Sequence, residues 1–175
     1  MKSTKLSPSS LFIICLCLLF NVVVPTLSLK LYEIVCKEAR QDEKVCLQLL
    51  QGEIKIAAAT NYKDLSNRIL DLAVFKTILA QQYVANLAKQ NPTNAAFAQC
   101  ANDFYNKSKY AFISAFGELD KDPQSAKNDA KAAGDGVASC EKAIQKGRFD
   151  SGVHARNNEI FVFSEIAFLA LNHLT

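Results

Sequence analysis

The residue types that most often carry out chemistry are scarce in this sequence. It has only two histidines, His154 and His173, and it contains no HExxH, no GxSxG and no glycine-rich phosphate-binding loop. We expect His154 to lie in a solvated connection and His173 to meet the last carbonyls of a helix. Asp120 and Asp122 stand beside a predicted helix start, where capping accounts for them. We therefore predict that the protein is not an enzyme and binds no cofactor.

Residues 1–28 have the layout of a secretory signal peptide. Lys2 and Lys5 precede a nearly unbroken apolar run over residues 11–24, and small residues lead to a cleavage position after Ser28. The run is shorter than the ~20 residues that a membrane span needs, so we prefer cleavage to an uncleaved anchor. The mature domain is then residues 29–175, secreted and without membrane attachment.

The charge of the chain indicates no polyanionic partner. The formal net charge is +3, and Lys2 and Lys5 leave with the signal peptide. The remaining charges are nearly balanced and interspersed, which gives no basis for nucleic-acid binding.

The cysteines indicate two disulfides in the mature domain. Of the six in the chain, two belong to the apolar run, and the other four are Cys36, Cys46, Cys100 and Cys140. An even number in a secreted chain is typical of a disulfide framework, although four cysteines allow three pairings and the sequence alone does not choose among them. No CxxC pair exists and both histidines are far from any cysteine, so we predict no metal site.

Apolar residues recur at helical spacing along the whole mature chain. Two short pieces, residues 32–39 and 43–50, form a hairpin around a polar turn. Four longer helices are predicted after it, at about 60–89, about 94–119, 123–147 and about 155–174. Short connections favour antiparallel neighbours, so the predicted fold is all-α, an up-down-up-down four-helix bundle preceded by a disulfide-linked helical hairpin.

Each long helix has a predicted inward face. In the first it is Leu65, Ile69, Leu72, Leu79, Tyr83 and Leu87, widened by Phe75 and Ile78. In the second it is Phe97, Cys100, Phe104, Ala111, Ala115 and Leu119. In the third it is Ala126, Ala130, Ala133, Val137, Cys140 and Ile144, with a kink or tight contact expected at Gly134-Asp135-Gly136. The fourth is apolar on more than one face, which predicts a central position.

One triplet, Asn106-Lys107-Ser108, has the pattern of an N-glycosylation acceptor. We place Asn106 on the accessible side of its helix.

The cysteine order, with the helices between, resembles the plant invertase and pectin methylesterase inhibitor family. The residues that carry the resemblance are the spacing of Cys36 and Cys46, Cys100 followed by Phe104, Ser139-Cys140-Glu141, and Arg156-Asn157-Asn158 before an apolar helix. The resemblance covers nearly all of the mature chain. It implies pairing of Cys36 with Cys46 and of Cys100 with Cys140, and 1:1 inhibition of a carbohydrate-active enzyme in the cell wall or the vacuole.

The resemblance also places target contacts in the turn at Asp122, Pro123, Gln124 and Ser125. Invertase inhibitors of the family carry Pro-Lys-Phe there, and only Pro123 matches that motif in this chain. Many pectin methylesterase inhibitors have an unpaired cysteine in the last helix, a place that Ser164 takes here. We predict pectin methylesterase as the target, with acid invertase as the alternative and a non-inhibitory extracellular binding module as the alternative of another class.

Overall fold

The computed structural model describes residues 29–146 and 149–175, and all regular secondary structure within them is helical. The predicted signal peptide and Gly147, the predicted end of the third long helix, lie outside the described residues. The helices are α1 (Leu31–Glu38), α2 (Glu43–Leu50), α3 (Ile54–Ala57), α4 (Tyr62–Gln90), α5 (Ala95–Gln99), α6 (Tyr105–Glu118), α7 (Pro123–Lys146) and α8 (Ser151–Asn172).

Four long rods form the bundle. Helices α5 and α6 run on as one rod through a π-helical turn, Cys100–Phe104, and this rod packs against α4 and α7. Helix α8 packs against α7 and α4 and closes the ring, while α1 and α2 lie on α8. This arrangement confirms the predicted bundle with a preceding hairpin, and it confirms the central position of the last helix. None of the helices in the described parts of the chain combines the length and apolar content that crossing a bilayer requires.

Side-chain caps fix where the long helices begin. The side chain of Asn61 accepts a hydrogen bond from the Asp64 backbone N–H at 2.9 Å and starts α4. Asp150 caps α8 by accepting from the Val153 N–H at 2.9 Å. The prediction that His154 lies in a connection before the last helix was therefore wrong, because the cap starts α8 at Ser151 and places His154 in its first turn.

The predicted core face of α4 was wrong in its second half. The buried residues are Leu65, Ser66, Ile69, Leu70, Ala73, Thr77, Ala80 and Val84. Phe75 and Leu79, which we expected in the core, are 55% and 45% exposed. Leu72, Tyr83 and Leu87 are only half-buried. Small residues on the inward face leave neighbouring helices room to approach, and the larger side chains therefore stay on the solvent side.

The face of the second rod shifts by one residue at the π-helical turn. Phe97, Cys100, Ala115 and Leu119 are buried as predicted. Tyr105 and Phe112 are also fully buried, however, and they occupy the places expected for Phe104 and Ala111. A π-helical turn adds a residue to one turn of helix, so every later side chain is rotated relative to an uninterrupted α-helix.

Helix α7 packs with its backbone close to both neighbours. All six residues of its predicted inward face are buried. A Cβ placed on Gly136 would run into the Ser108 side chain and the Phe104 carbonyl of the second rod. On the other side, a Cβ on Gly134 would lie 2.6 Å from Ser164 Oγ of α8. The two glycines therefore mark tight contacts.

Two disulfides tie these elements together. Cys36 and Cys46 join α1 to α2 with a Cα–Cα distance of 5.4 Å, and Cys100 and Cys140 join the second rod to α7 at 5.0 Å. This is the pairing that the resemblance implies. In the chain-entropy account, the larger loop between Cys100 and Cys140 gives the greater stabilisation, about 4 kcal/mol.

Gly136→Ala should lower the free energy of unfolding by about 2 kcal/mol, because its methyl group has no space beside the Phe104 carbonyl. The matched control is Gly117→Ala on α6, where nothing lies within 4 Å of the added Cβ. That change should raise stability by about 0.5 kcal/mol through helix propensity. Chemical denaturation measures both, and equal effects at the two positions would contradict the tight packing of α7.

Candidate target-binding site

The turn between α6 and α7 is held in one conformation by its own residues. The Asp122 carboxylate accepts hydrogen bonds from the Ser125 backbone N–H at 3.1 Å and from Ser125 Oγ at 2.8 Å. Pro123 occupies the first position of α7, where a missing N–H costs nothing. The hydrogen bonds from Ser125, the side-chain one above all, lower the pKa of Asp122 below its ordinary value.

The same turn is anchored to the start of α4. Lys63 Nζ lies 2.9 Å from Asp120 Oδ1, and both side chains are well exposed. At the other side, Lys127 Nζ of α7 donates to Asn172 Oδ1 near the end of α8 at 3.3 Å. The four predicted contact residues therefore stand together at one end of the bundle.

The polar groups of this turn form a helix cap. Asp122 accepts from the backbone N–H of Ser125, three residues on, and from its hydroxyl, which is the pattern of an N-cap at the start of α7. Gln124 donates to Asn128 Oδ1 at 3.3 Å and is exposed. Among the described residues, no group of histidine, cysteine, aspartate and glutamate side chains is arranged to hold a metal ion.

The surroundings that we predicted for the two histidine side chains were wrong. His154 is about half exposed, but its Nδ1 lies 2.8 Å from Glu141 Oε1 on α7. His173 stacks on the Tyr62 ring with centroids 3.8 Å apart, and its Nε2 lies 3.1 Å from the Glu38 carboxylate of α1. The folded chain brings carboxylates and rings to both histidines from distant parts of the sequence, which local patterns do not show.

A buried polar network at the far end of the bundle was missed by sequence reasoning. Asn157 is buried on α8; its Oδ1 accepts from the Tyr105 hydroxyl at 2.8 Å and its Nδ2 donates to Glu141 Oε2 at 2.9 Å. Burial raises the pKa of Tyr105 far above its ordinary value. The one sequence signal was an asparagine pair interrupting an apolar helix.

Glu141 receives enough hydrogen bonds to keep its charge. Burial alone raises its pKa, but hydrogen bonds from Asn157, His154 and Gln145 outweigh burial and lower the pKa below its ordinary value of 4.5. The carboxylate therefore holds α7 to α8 through Asn157 and His154.

Arg156 lies beside this network and packs against Tyr83 of α4. Its guanidinium lies 3.7 Å from the centre of the Tyr83 ring and donates to the Gly152 carbonyl at 3.0 Å. It thereby holds the first turns of α8 against α4.

Asn106, the predicted glycosylation acceptor, is less accessible than expected. Asn106 lies between α4 and α6, where its Oδ1 accepts from Gln81 at 2.9 Å and from Lys109 at 2.7 Å. Its glycosylation stays a prediction. Ser164 is buried and donates to the Phe161 carbonyl at 2.7 Å.

Glu141→Gln should lower the free energy of unfolding at pH 7 by about 1 kcal/mol, because an amide matches the donors of Asn157 and His154 poorly. A lowered carboxylate pKa gives stability that is present above pH 4.5 and is lost as the pH falls through the folded-state value. The difference between variant and wild type should therefore shrink below pH 4.5, as measured by urea denaturation. Glu165→Gln on α8 is the control, and an undiminished difference at pH 3 would contradict this role of Glu141.

Two solved structures share this fold. The crystal structure of a mutant form of a pectin methylesterase inhibitor from Arabidopsis matches with a TM-score of 0.72 and 20% identity, over 82% of this chain and 97% of that one. The crystal structure of a pectin methylesterase inhibitor from Arabidopsis thaliana matches with a TM-score of 0.61 and 21% identity, over 82% of this chain and 95% of that one. No family sequence model matches the chain, and no curated protein sequence matches it. The chain has the fold of pectin methylesterase inhibitors.

Proposed function

We propose that this chain is a member of the invertase and pectin methylesterase inhibitor family, secreted, and that it inhibits pectin methylesterase by forming a 1:1 complex. The observation that carries the proposal is the fold, which matches an inhibitor over 97% of that protein's length. The family resemblance of the cysteine order and the disulfides Cys36–Cys46 and Cys100–Cys140 agree with it.

The polar groups of the chain support a binding role over a catalytic one. Asp122 is bonded to Ser125, and Glu141 is bonded to Asn157 and His154. In both clusters the hydrogen bonds are made within the protein, where they cap α7 or join α7 to α8.

A rigid turn on a cross-linked bundle suits an inhibitor. Binding is weakened by the entropy lost when flexible segments become ordered. The turn at residues 122–125 is already ordered by its cap, and the disulfide Cys100–Cys140 joins the two rods that carry it. This preorganisation lets the turn block an enzyme cleft with little further loss of entropy.

The composition of the turn favours pectin methylesterase over invertase as the target. By family resemblance, invertase inhibitors place a lysine and a phenylalanine where this chain has Gln124 and Ser125. Loss of an inserted anchor commonly weakens binding by 2 kcal/mol or more. The exposed amide of Gln124 has neither the charge nor the ring of that anchor.

The proposal is tested with protein recovered from the culture medium of plant cells that express the full chain. Intact mass shows whether residues 1–28 are removed and whether Asn106 carries a glycan. Excess protein near pH 5 should abolish pectin methylesterase activity and leave acid invertase largely active. Full activity of both enzymes would contradict the proposal and favour the non-inhibitory binding module.

Introducing the lysine and phenylalanine of the family's invertase inhibitors should redirect the chain toward acid invertase. The double change Gln124→Lys with Ser125→Phe should introduce or strengthen inhibition of acid invertase at least about tenfold, because it supplies the missing cation and ring. The Ser125 backbone N–H remains to bond Asp122, so the start of α7 is kept. The control is Gln124→Ala with Ser125→Ala, and invertase inhibition unchanged from wild type in both variants would show that this turn does not select the target.

A further inference from the structure

A groove lined by both apolar and charged side chains lies along the outer face of α4. It has a volume of about 670 Å³, and its apolar lining includes Leu72 and Phe75 of α4, Ile54 of α3 and Phe116 of α6. This volume is within the usual range of ligand-binding clefts, roughly 300–1,000 Å³.

The groove leaves large side chains in water. Ile54 is 85% exposed, Phe75 is 55% exposed and Phe116 is 45% exposed. Since a phenylalanine carries about 200 Å² of surface, the two rings alone leave roughly 200 Å² uncovered. Together with Ile54, the patch reaches the lower end of the 300–600 Å² that the largest apolar patch of a monomer usually covers, and such patches are often functional.

The groove lies at the same end of the bundle as the turn at residues 122–125. Phe116 lies about one helical turn before Asp120, and Asp120 forms an exposed ion pair with Lys63 at 2.9 Å. The residue after Lys63, Asp64, lines the groove. The groove and the turn are therefore neighbours on the surface.

The rim of the groove is charged, with an acidic excess. Arg68 is neutralised by Asp64, with Nε and Oδ1 2.8 Å apart. Of the other charged side chains that line the groove, Glu53 and Asp71 are acidic and Lys55 is basic. An apolar group flanked by a basic one would complement this rim.

We propose that this groove is the second half of the target-binding surface, and that it receives an apolar or aromatic side chain, flanked by a lysine or arginine, from the rim of the target enzyme's cleft. This inference rests on the proposed function. Protein interfaces draw most of their binding energy from a few desolvated aromatic or aliphatic anchors. The turn offers only a proline ring and polar groups, so the groove supplies the apolar part of the interface.

The groove lies beside the turn, and this favours the target enzyme rather than a second copy of this chain as the occupant of the groove. A standard interface covers ~800 Å² on each partner, of which somewhat more than half is apolar. The apolar patch in the groove supplies most of the apolar area that such an interface needs, and the exposed turn beside it adds polar surface. One partner that spans both features therefore makes an interface of ordinary size and composition.

The test compares three variants in inhibition assays with the enzyme that the wild-type chain inhibits. Phe75→Ser and Phe116→Ser are made singly and together. The matched control is Phe149→Ser, because Phe149 is 57% exposed beside His154 at the opposite end of the bundle. Since each of the three rings is about half exposed, the variants should stay folded, and melting curves by circular dichroism check that they lose similar amounts of stability.

The double groove variant should raise the inhibition constant at least about 30-fold, each single variant about fivefold, and Phe149→Ser less than twofold. Undiminished inhibition by the double variant would overturn the groove assignment and leave the proposed function standing. A wild-type chain that inhibits neither enzyme would overturn the proposed function and this inference with it. If light scattering at about 50 μM shows a wild-type dimer and a monomeric double variant that still inhibits, the groove binds a second copy instead.

Discussion

The close approach of α7 to its two neighbours is the constraint on which the rest of the structure depends. At Gly136 the backbone of the second rod leaves no room for a side chain, and at Gly134 the Ser164 hydroxyl of α8 lies close to the helix. The alanines of α7 and the bridge between Cys100 and Cys140 belong to the same contact. Small residues bury little apolar surface each, so a covalent link between the closest helices offsets part of the entropy lost on folding.

This constraint decides what the bundle presents to solvent. Because the interior is narrow, α4 turns alanines and a threonine inward, and Phe75 and Leu79 remain outside. The turn between α6 and α7 is ordered by the hydrogen bonds between Ser125 and Asp122, and an exposed ion pair links it to Lys63 of α4. At the other end, Glu141 and Asn157 hold α7 to α8. The close packing of α7 inside the bundle and the exposed apolar side chains of α4 near the turn thus result from the same arrangement of helices.

Most of the fold could be predicted from the sequence because its signals are local. Helical periodicity, the cap at Asp122 and the stripe of small residues on α7 each depend on a few neighbouring positions. The inward face of α4 could not be obtained that way. Large apolar residues occur on both sides of that helix, so side-chain size does not show which side is buried. The distance to the neighbouring helices determines which residues face inward.

The remaining errors have the same origin. A π-helical turn at Cys100–Phe104 rotated the face of α6, and nothing in the residue pattern marks where such a turn falls. The partners of His154 and His173 come from other helices. For the candidate site, the positions in the turn were identifiable through the family resemblance, whereas the groove requires three helices to be placed side by side.

We propose that this cross-linked bundle binds an enzyme as a 1:1 complex. Multi-angle light scattering of the purified chain mixed with pectin methylesterase near pH 5 shows whether that complex forms. One peak is expected, with a mass equal to the sum of one inhibitor and one enzyme. Two separate peaks with the masses of the unbound proteins, at concentrations well above the micromolar range, would contradict the proposal.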